Sequence, residues 1–335
     1  MRRAPIKSRL RIFISGVHSG PNPSPGVGTA RCLRAAFPNA CLVAVDYSAR
    51  SGGLLWSDFT ECIVRPPWHA IDPAEHVAFV AGVLASGDIW LSGLDLELRL
   101  LARHFRNRPN LPCPSLSALK IASKPPSGIG KRLGLALPPF FSVGSSPDAV
   151  LGRFCREQGW PVWVKGPAYG AVPIWSWYEM APAVSRMAEA WGGREHLFLQ
   201  THVEGQDVTI AFAAWRGRLL GAVFLEKLER TLEGKAWSGR VSGVPADLER
   251  RLRTFVCATR WSGGGEIECV RDPFSRLWLL ECNPRFPAWI YGAALAGSNL
   301  PARLIEAAMG EKGIARPIRS PRTFTRVVLE SPAHV

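Results

Sequence analysis

The sequence predicts an α/β fold with several lobes, and two features of its residue pattern carry that prediction. Short apolar segments rich in β-branched residues alternate with longer helical segments over residues 1–113, which is typical of a parallel sheet with crossover helices. Residues 40–46 are apolar up to their last position, as a central strand of a parallel sheet is. A chain of 335 residues is long enough for two or three packed lobes.

The N-terminal elements alternate in type along the chain. The loop before the first helix lacks the Gly-x-Gly-x-x-Gly spacing of a dinucleotide-binding turn, because Thr29 and Ala30 follow Gly28. Asp46 at the end of its strand suits a small-ligand cleft, and a plain βαβ unit is the alternative. We predict a strand at 9–15, a Gly/Pro-rich loop at 20–28, a helix at 29–37, strands at 40–46 and 61–64, a helix at 73–86, a strand at 88–92 and a helix at 94–106.

Composition indicates an ordinary soluble protein. Hydrophobic residues make up 47% and charged residues 20%, as in typical globular domains. No apolar run reaches the roughly 18 residues that a transmembrane helix needs. Eight cysteines are scattered without a Cys-x-x-Cys pair, which predicts free thiols in a reducing cytoplasm rather than disulfides or a zinc site.

The formal net charge of +14 has three interpretations. A basic solvated surface is favoured, because the sequence has neither a recognition helix nor the basic–aromatic interleaving of a single-strand binder. Charge alone supports the second interpretation, nucleic-acid binding. Attraction of an acidic substrate is the third interpretation. The basic residues are spread along the chain, chiefly as Arg2, Arg3, Lys7, Arg9 and Arg11, as Arg250, Arg251 and Arg253, and as Arg316, Arg319, Arg322 and Arg326.

An acidic hairpin near the C-terminal end is the most informative stretch. Residues 266–270 and 277–285 both have the apolar and β-branched content of strands. The segment between them contains Asp272 before a proline, which predicts a turn. One possible centre of this hairpin lies between Phe274 and Ser275.

Oxygen-bearing side chains then share one face of the hairpin. With that centre Glu268 lies opposite Glu281, and strand alternation puts Asn283 on the face of Glu281; a register shift by one pair replaces Glu268 by Glu266. Two carboxylates this close repel unless a cation sits between them, and carboxylate and amide oxygens suit Mg²⁺ or Mn²⁺. A solvated acidic face is the alternative. Arg285 adds a cation suited to a phosphate oxygen.

This stretch resembles a known signature. The order of Glu268, about a dozen residues, then Glu281-Cys282-Asn283-Pro284-Arg285 resembles the metal-binding signature of ATP-grasp ligases. The resemblance covers roughly residues 114–310 well and the preceding residues loosely. It implies an ATP-grasp fold preceded by a parallel-sheet α/β N-terminal domain. The predicted division is an N-terminal domain at 1–113, a small ATP-grasp lobe at 114–198, a C-terminal lobe with the metal site at 199–315 and a basic tail at 316–335.

Two lysines extend the resemblance. Lys165 ends an apolar strand and precedes a loop at 166–171; its compact charge suits a phosphate, and it is similar to the ATP-grasp lysine with its glycine-rich loop. Lys124 matches a second lysine of the family, although Ser123 stands where an acid is usual. Lys120 is the rival candidate, and an ordinary surface lysine is the alternative for either position.

A third part of the resemblance follows a predicted strand at 197–200. Residues 201–208 look like the family's hinge, where main-chain groups hold adenine and an acid holds the ribose. The implied nucleotide contacts are Gln200, Val203, Glu204 and Asp207, while His202 is interpreted as structural. The remaining predicted elements are a hairpin at 208–215 and 219–228, a helix at 245–261, and a last helix at 301–309.

The resemblance implies an ADP-forming carboxylate–amine ligase that uses ATP and Mg²⁺ or Mn²⁺. Its partners would be small-molecule or peptide carboxylates and amines, with no membrane or nucleic acid expected and a homodimer left open. An ATP-dependent carboxylase or carbamoyl-type enzyme is the alternative on the same fold, and a non-catalytic nucleotide-binding protein is another. The implied site consists of metal ligands Glu268, Glu281 and Asn283, phosphate-neutralising Lys124 and Lys165, and Arg285 at the acyl phosphate.

Overall fold

The computed structural model describes residues 10–18, 24–168, 170–231, 234–311, 318 and 320–327. The fold is mixed α/β, with one parallel four-stranded sheet and two further sheets of six and four strands, which confirms the predicted fold class. Several predicted features lie outside the described residues, namely residues 20–23 of the Gly/Pro-rich loop, Arg2, Arg3, Lys7, Arg9, Arg316 and Arg319.

The parallel sheet forms the first part of the chain, as predicted. Its strand order is β3-β2-β1-β4, so that β2 is an interior strand, and all six of its residues are buried. Helix α2 begins with a proline after Asp72, whose carboxylate accepts a bond from the Ala74 amide, a favourable helix start. The elements are β1 (Arg11–Ser15), α1 (Pro25–Ala36), β2 (Cys41–Asp46), β3 (Glu61–Val64), α2 (Pro73–Ala85), β4 (Ile89–Leu91), α3 (Asp95–His104) and α4 (Leu116–Ile121).

The next stretch contains an antiparallel sheet of order β5-β8-β6-β7. Two of its strands and three helices were not predicted from the sequence. Ala171, predicted to end a loop, instead begins a strand that pairs with the strand of Lys165. The elements are α5 (Ser127–Leu133), β5 (Phe140–Ser142), α6 (Asp148–Gln158), β6 (Val162–Lys165), β7 (Ala171–Ile174), α7 (Trp177–Trp191) and β8 (Phe198–Thr201).

A six-stranded sheet of order β13-β12-β9-β10-β11-β14 contains the remaining strands. Its last strand comes from the basic segment predicted as a tail: Arg322–Thr325 pairs antiparallel with residues 238–241, so this segment completes a sheet edge. The elements are β9 (Gln206–Trp215), β10 (Arg218–Arg230), β11 (Ala236–Ser242), α8 (Ala246–Thr259), β12 (Gly263–Arg271), β13 (Leu277–Asn283), α9 (Ile290–Leu295), α10 (Leu300–Ala308) and β14 (Arg322–Thr325).

The chain divides into two compact units. The larger unit comprises Met1–Leu119, Thr209–Glu266 and Asn283–Val335, and the smaller unit comprises Lys120–Val208 and Ile267–Cys282. Each has its own apolar core, as expected for independently packed regions. The four-part division with boundaries after residues 113, 198 and 315 stays a prediction. No helix in the described part of the chain has the length and apolar character that a membrane crossing requires.

Candidate functional site

Lys165 and Gln200 form a polar pair inside the smaller unit. Trp163 lies opposite Gln200 across the antiparallel strands β6 and β8, and directly opposed residues share a face of the sheet. Lys165 follows Trp163 by two residues on β6, so its side chain projects on that same face. The Lys165 ammonium donates to Gln200 Oε1 at 2.5 Å, and both side chains are buried. The buried Nε2 of Gln200 has no hydrogen-bond partner among the described residues. An unsatisfied buried donor is costly, so this amide suits a ligand acceptor.

Lys124 is a partly buried lysine of the smaller unit. Its ammonium forms an ion pair with Glu281 Oε2 at 2.5 Å, with side-chain exposures of 9% and 15%, and also donates to the carbonyl of Ala168. Lys120, the rival candidate, is exposed at the end of α4. The structure thus gives Lys124 an acidic partner in the predicted metal signature, while its contact with ATP stays a prediction.

The predicted adenine hinge is a four-residue connection at 202–205 between β8 and β9. Gly205 has a φ of +152°, and a Cβ built on it would lie 2.3 Å from the Arg271 carbonyl oxygen, so only glycine fits this close approach. Glu204 is exposed, whereas Val203 and Asp207 are half-buried. His202 accepts a bond from the Trp163 indole at 3.2 Å, a structural contact. The nucleotide contacts assigned to this segment stay predictions.

Glu266, the alternative first metal ligand, is the centre of a buried cluster in the larger unit. Its Oε1 accepts hydrogen bonds from Trp289 Nε1 at 2.9 Å and from the Thr209 hydroxyl at 3.2 Å. Its Oε2 accepts a bond from Asn283 Nδ2 at 3.2 Å and lies 3.6 Å from Arg285 Nη1. Glu266 is 4% exposed, and such donors make burial of a carboxylate tolerable.

Arg285 joins this cluster to the edge of the parallel sheet. Its Nε lies 3.2 Å from Asp95 Oδ1, and the side chain is 15% exposed. Arg285 also lines a small cleft, together with Gly26 of α1 and with Ser92 and Gly93 after β4. The cleft lies at the carboxyl end of a parallel strand, where α/β sheets commonly bind ligands.

Asp46 organises a turn at the end of its strand, and its role at a small-ligand cleft stays a prediction. Its Oδ1 accepts bonds from the Ser51 hydroxyl at 2.5 Å and from the Ser48 amide at 3.2 Å. These short-range bonds are typical of an aspartate that stabilises its own turn. The cleft of Arg285 is lined by other residues.

The hairpin turn differs from the prediction. The Asp272 amide donates to the Arg276 carbonyl at 3.0 Å, and Ser275 has a φ of 65°. The turn is therefore centred on Phe274, and not between Phe274 and Ser275 as considered from the sequence. Asp272 accounts for this, because its carboxylate accepts bonds from the Phe274 and Arg276 amides, each at 2.9 Å. The opposition of Glu268 and Glu281 that followed from the predicted centre stays a prediction.

The predicted metal ligands have the chemistry that a hard cation needs. Glu268 is 8% exposed and Asn283 is 3% exposed, and Glu281 and Asn283 lie two residues apart on β13, on one face of that strand. Within the described ranges no three His, Cys, Asp or Glu side chains are grouped to hold a metal. Carboxylate and amide oxygens suit Mg²⁺, and metal binding by Glu268, Glu281 and Asn283 stays a prediction.

A buried cluster around Glu97 was not predicted from the sequence. Glu97 is fully buried and accepts bonds from the Tyr47 hydroxyl at 2.5 Å, from Ser15, and from Trp90 at 3.4 Å, while His76 Nε2 lies 3.0 Å away. Burial opposes ionisation, but the bonds from His76 and Ser15 outweigh it and lower the pKa of Glu97. An acid in the first turn of a helix is ordinarily solvated, so the local sequence carries no signal for this cluster.

Comparison with known proteins identifies the fold class. No protein-family model and no curated protein matches the chain. The solved structures that resemble it are ATP-grasp enzymes, at sequence identities that establish the fold alone. The chain has the ATP-grasp fold, which confirms the fold that the sequence resemblance implies.

Three neighbours illustrate the match. Staphylococcus aureus N5-carboxyaminoimidazole synthetase complexed with ADP superposes with a TM-score of 0.67 and 15% identity, over 96% of this chain and 84% of that chain. Bacillus licheniformis L-amino acid ligase gives 0.64 and 14%, over 97% and 82%. The biotin carboxylase domain of Hydrogenobacter thermophilus 2-oxoglutarate carboxylase, a dimer with MgADP and bicarbonate, gives 0.64 and 16%, over 90% and 70%.

Proposed function

We propose that this protein is an ATP- and Mg²⁺-dependent ligase that activates a carboxylate as an acyl phosphate and joins it to an amine. The observation that carries the proposal is a pair of lysines in the smaller unit, the partly buried Lys124 beside Glu281 and the buried Lys165 beside Gln200. The Lys165 ammonium, beside a Gln200 amide nitrogen that has no partner among the described residues, suits the phosphates of a nucleotide, as does the ammonium of Lys124. The ATP-grasp fold and the ADP-bound neighbour support the same assignment.

The metal would be held by Glu268, Glu281 and Asn283. When bound, Mg²⁺ neutralises charge on the phosphates. Lys124 and Lys165 would place positive charge against the transferring phosphoryl group, so that most of the catalysis is positioning and electrostatic stabilisation. Lys124 already forms an ion pair with the Glu281 carboxylate, and both side chains have little contact with solvent.

The proposed reaction has two steps, formation of an acyl phosphate and its attack by an amine. A carboxylate oxygen attacks the γ-phosphorus of ATP, the bond to the bridging oxygen breaks, and ADP leaves. An amine then attacks the acyl carbon, phosphate leaves, and the amine loses a proton. We assign to Arg285 the stabilisation of the acyl phosphate. In the ADP-forming route Gln200, Val203, Glu204 and Asp207 would hold the nucleoside.

The nucleotide product tests this proposal. The protein is incubated with ATP, Mg²⁺ and a panel of amino acids and dipeptides, and the nucleotides are separated by ion-exchange chromatography. We expect ADP that depends on the added acid, with a hydroxamate formed when hydroxylamine replaces the amine. An adenylating enzyme also yields a hydroxamate, so only the nucleotide product distinguishes the two mechanisms. AMP and pyrophosphate as the stoichiometric products would overturn the proposed one.

A carboxylase is the second candidate, because a biotin carboxylase domain superposes on this chain with the same TM-score as the amino acid ligase. The same assay separates the two when bicarbonate replaces the organic acid: ADP release that requires bicarbonate indicates a carboxylase. ATP binding without turnover under every condition indicates a non-catalytic nucleotide-binding protein.

Two accompanying proposals concern the setting. All eight cysteines are free, which supports a cytoplasmic location. A homodimer stays a prediction, supported by the dimeric biotin carboxylase domain among the neighbours. Sedimentation velocity at micromolar concentration tests the oligomeric state.

A further inference from the structure

Glu266 is a buried carboxylate whose two oxygens both face donors of the larger unit. Its Oε1 accepts bonds from the Trp289 indole at 2.9 Å and from the Thr209 hydroxyl at 3.2 Å. Its Oε2 accepts a bond from Asn283 Nδ2 at 3.2 Å. The donors come from three separate segments, namely β9, the end of β13 and the residue that precedes α9. The carboxylate is therefore fixed from several directions.

Coordination of a metal by Glu266 itself would break these bonds. A carboxylate has about four lone-pair positions, and three of them already face N–H or O–H groups. The Arg285 guanidinium also lies 3.6 Å from Oε2. Glu266 is 4% exposed, and buried donors that lose their acceptor are costly. The geometry thus favours a role for Glu266 beside the metal ligands over a role as one of them.

The contact with Glu266 decides how the Asn283 amide is turned. An asparagine side chain carries a carbonyl oxygen on one side and an NH₂ group on the other. A carboxylate oxygen is an acceptor, so the NH₂ group faces Glu266 and Oδ1 is turned away from it. Asn283 is 3% exposed, so water competes little for the amide. Of its two groups, Oδ1 is the one that can bind a hard cation.

We propose that Glu266 is a positioning residue, which fixes the Asn283 amide so that its oxygen, and not its NH₂ group, is presented to the Mg²⁺ of the ligase. Trp289 and Thr209 in turn hold Glu266. The part that concerns Mg²⁺ rests on the proposed function; the hydrogen bond that fixes the amide does not. Loss of a hydrogen bond to a metal ligand typically weakens metal affinity about 10–100-fold.

Binding of Mn²⁺ to the full chain tests the proposal without requiring turnover. Mn²⁺ is titrated at fixed ADP with and without the protein, and the relaxation rate of water protons reports the protein-bound ion. We expect Glu266→Gln to weaken Mn²⁺ binding about tenfold or more, because an amide at this position brings an NH₂ group against other donors. ADP affinity in the presence of EDTA should stay within about twofold of the wild type.

Two matched substitutions separate positioning from general destabilisation. Glu97→Gln also replaces a buried glutamate of the larger unit, and it should lower stability while leaving Mn²⁺ affinity within about twofold. Thr209→Val removes only the hydroxyl that bonds Oε1, whereas Thr209→Ser keeps a hydroxyl. We expect a severalfold loss of Mn²⁺ affinity for Thr209→Val and near wild-type affinity for Thr209→Ser. This pair decides the question if Glu266→Gln does not fold.

A double-mutant cycle shows whether Glu266 acts through Asn283. In an Asn283→Ala background there is no amide to orient, so Glu266→Gln should weaken Mn²⁺ binding less than about twofold further. A metal ligand at position 266 would give additive losses instead. Additive losses, equal losses in Glu97→Gln, wild-type affinity in the folded Glu266→Gln or Thr209→Val protein, or no Mn²⁺ binding by the wild type would overturn the proposal.

Failure of the ligase proposal has a different signature. If no acid supports ADP formation but Mn²⁺ affinity depends on Glu266 only when Asn283 is present, the positioning role stands and the ligase proposal falls. If ADP forms with an added acid while Glu266→Gln leaves Mn²⁺ affinity unchanged, the ligase proposal stands and the positioning role of Glu266 falls.

Discussion

The two units each bury charged side chains, but they satisfy them differently. In the larger unit Glu97 is surrounded by donors from separate elements, Ser15 at the end of β1, Tyr47 after β2, and His76 on α2. In the smaller unit Lys165 contacts an amide, Gln200, whose second donor has no partner among the described residues.

This difference separates a structural cluster from a candidate binding cluster. The donors of Glu97 tie the carboxyl ends of strands to the first turn of α3, so the carboxylate stabilises the sheet edge. The smaller unit keeps a buried donor unpaired, a cost that proteins accept where a ligand supplies the acceptor. Four predictions sharpen or break this comparison, beginning with the largest expected effect.

The largest effect concerns Glu281. Glu281→Gln keeps the shape of the side chain but removes a charge from the proposed Mg²⁺ set, so we expect ATP turnover to fall about 10²–10³-fold, as loss of a charge stabiliser at a reacting centre does. ADP release at limiting Mg²⁺ measures it. The control, Glu249→Gln on α8, removes a partly exposed carboxylate that pairs with Arg253. Turnover near that of the wild type would remove Glu281 from the site.

The next effect concerns Glu97. Glu97→Gln replaces a carboxylate that accepts several hydrogen bonds with an amide whose NH₂ group would face other hydrogen-bond donors. We therefore expect the free energy of unfolding to fall by about 3 kcal/mol. Urea unfolding measures it. ATP affinity of the folded variant should change less than twofold. A large loss of ATP affinity with unchanged stability would reverse the roles of the two clusters.

A smaller effect is expected at the lysines. Lys165→Met preserves bulk but removes the charge, so ATP should bind about tenfold more weakly while the thermal midpoint without nucleotide stays close to that of the wild type. Lys124→Met should behave similarly. Lys120→Met, at an exposed position, is the matched control, and equal losses for Lys120 and Lys124 would leave neither lysine assigned.

The smallest effect is a pH dependence of stability. The folded-state pKa of Glu97 is lowered from its ordinary 4.5, so its contribution is present above that value and is lost as the pH falls through the folded-state pKa. The difference in unfolding free energy between the wild type and Glu97→Gln should therefore shrink below about pH 4.5. Urea titrations at neutral and acidic pH measure this difference, and a constant difference would show that Glu97 is not ionised in the folded protein.

The sequence by itself determined the parallel sheet and the acidic signature. A strand buried on both faces must be apolar throughout, so residues 41–46 could be recognised without any partner. The Glu-x-Asn-Pro-Arg order and the lysine that ends β6 were likewise visible, because residue type and spacing along one strand define them. The short strands β5 and β7 were missed since they are partly exposed and carry no clean alternation.

Only the tertiary structure decided which polar groups meet. Ser15 and Glu97 are 82 positions apart in the sequence, and Lys124 and Glu281 are 157 positions apart. No local sequence pattern encodes such pairs. The turn at Asp272 was decided by side-chain bonds to the backbone, which shifted the centre from the predicted one. The pairing of Arg322–Thr325 with β11 depended on an open sheet edge, which is a property of the folded sheet and not of the basic segment that fills it.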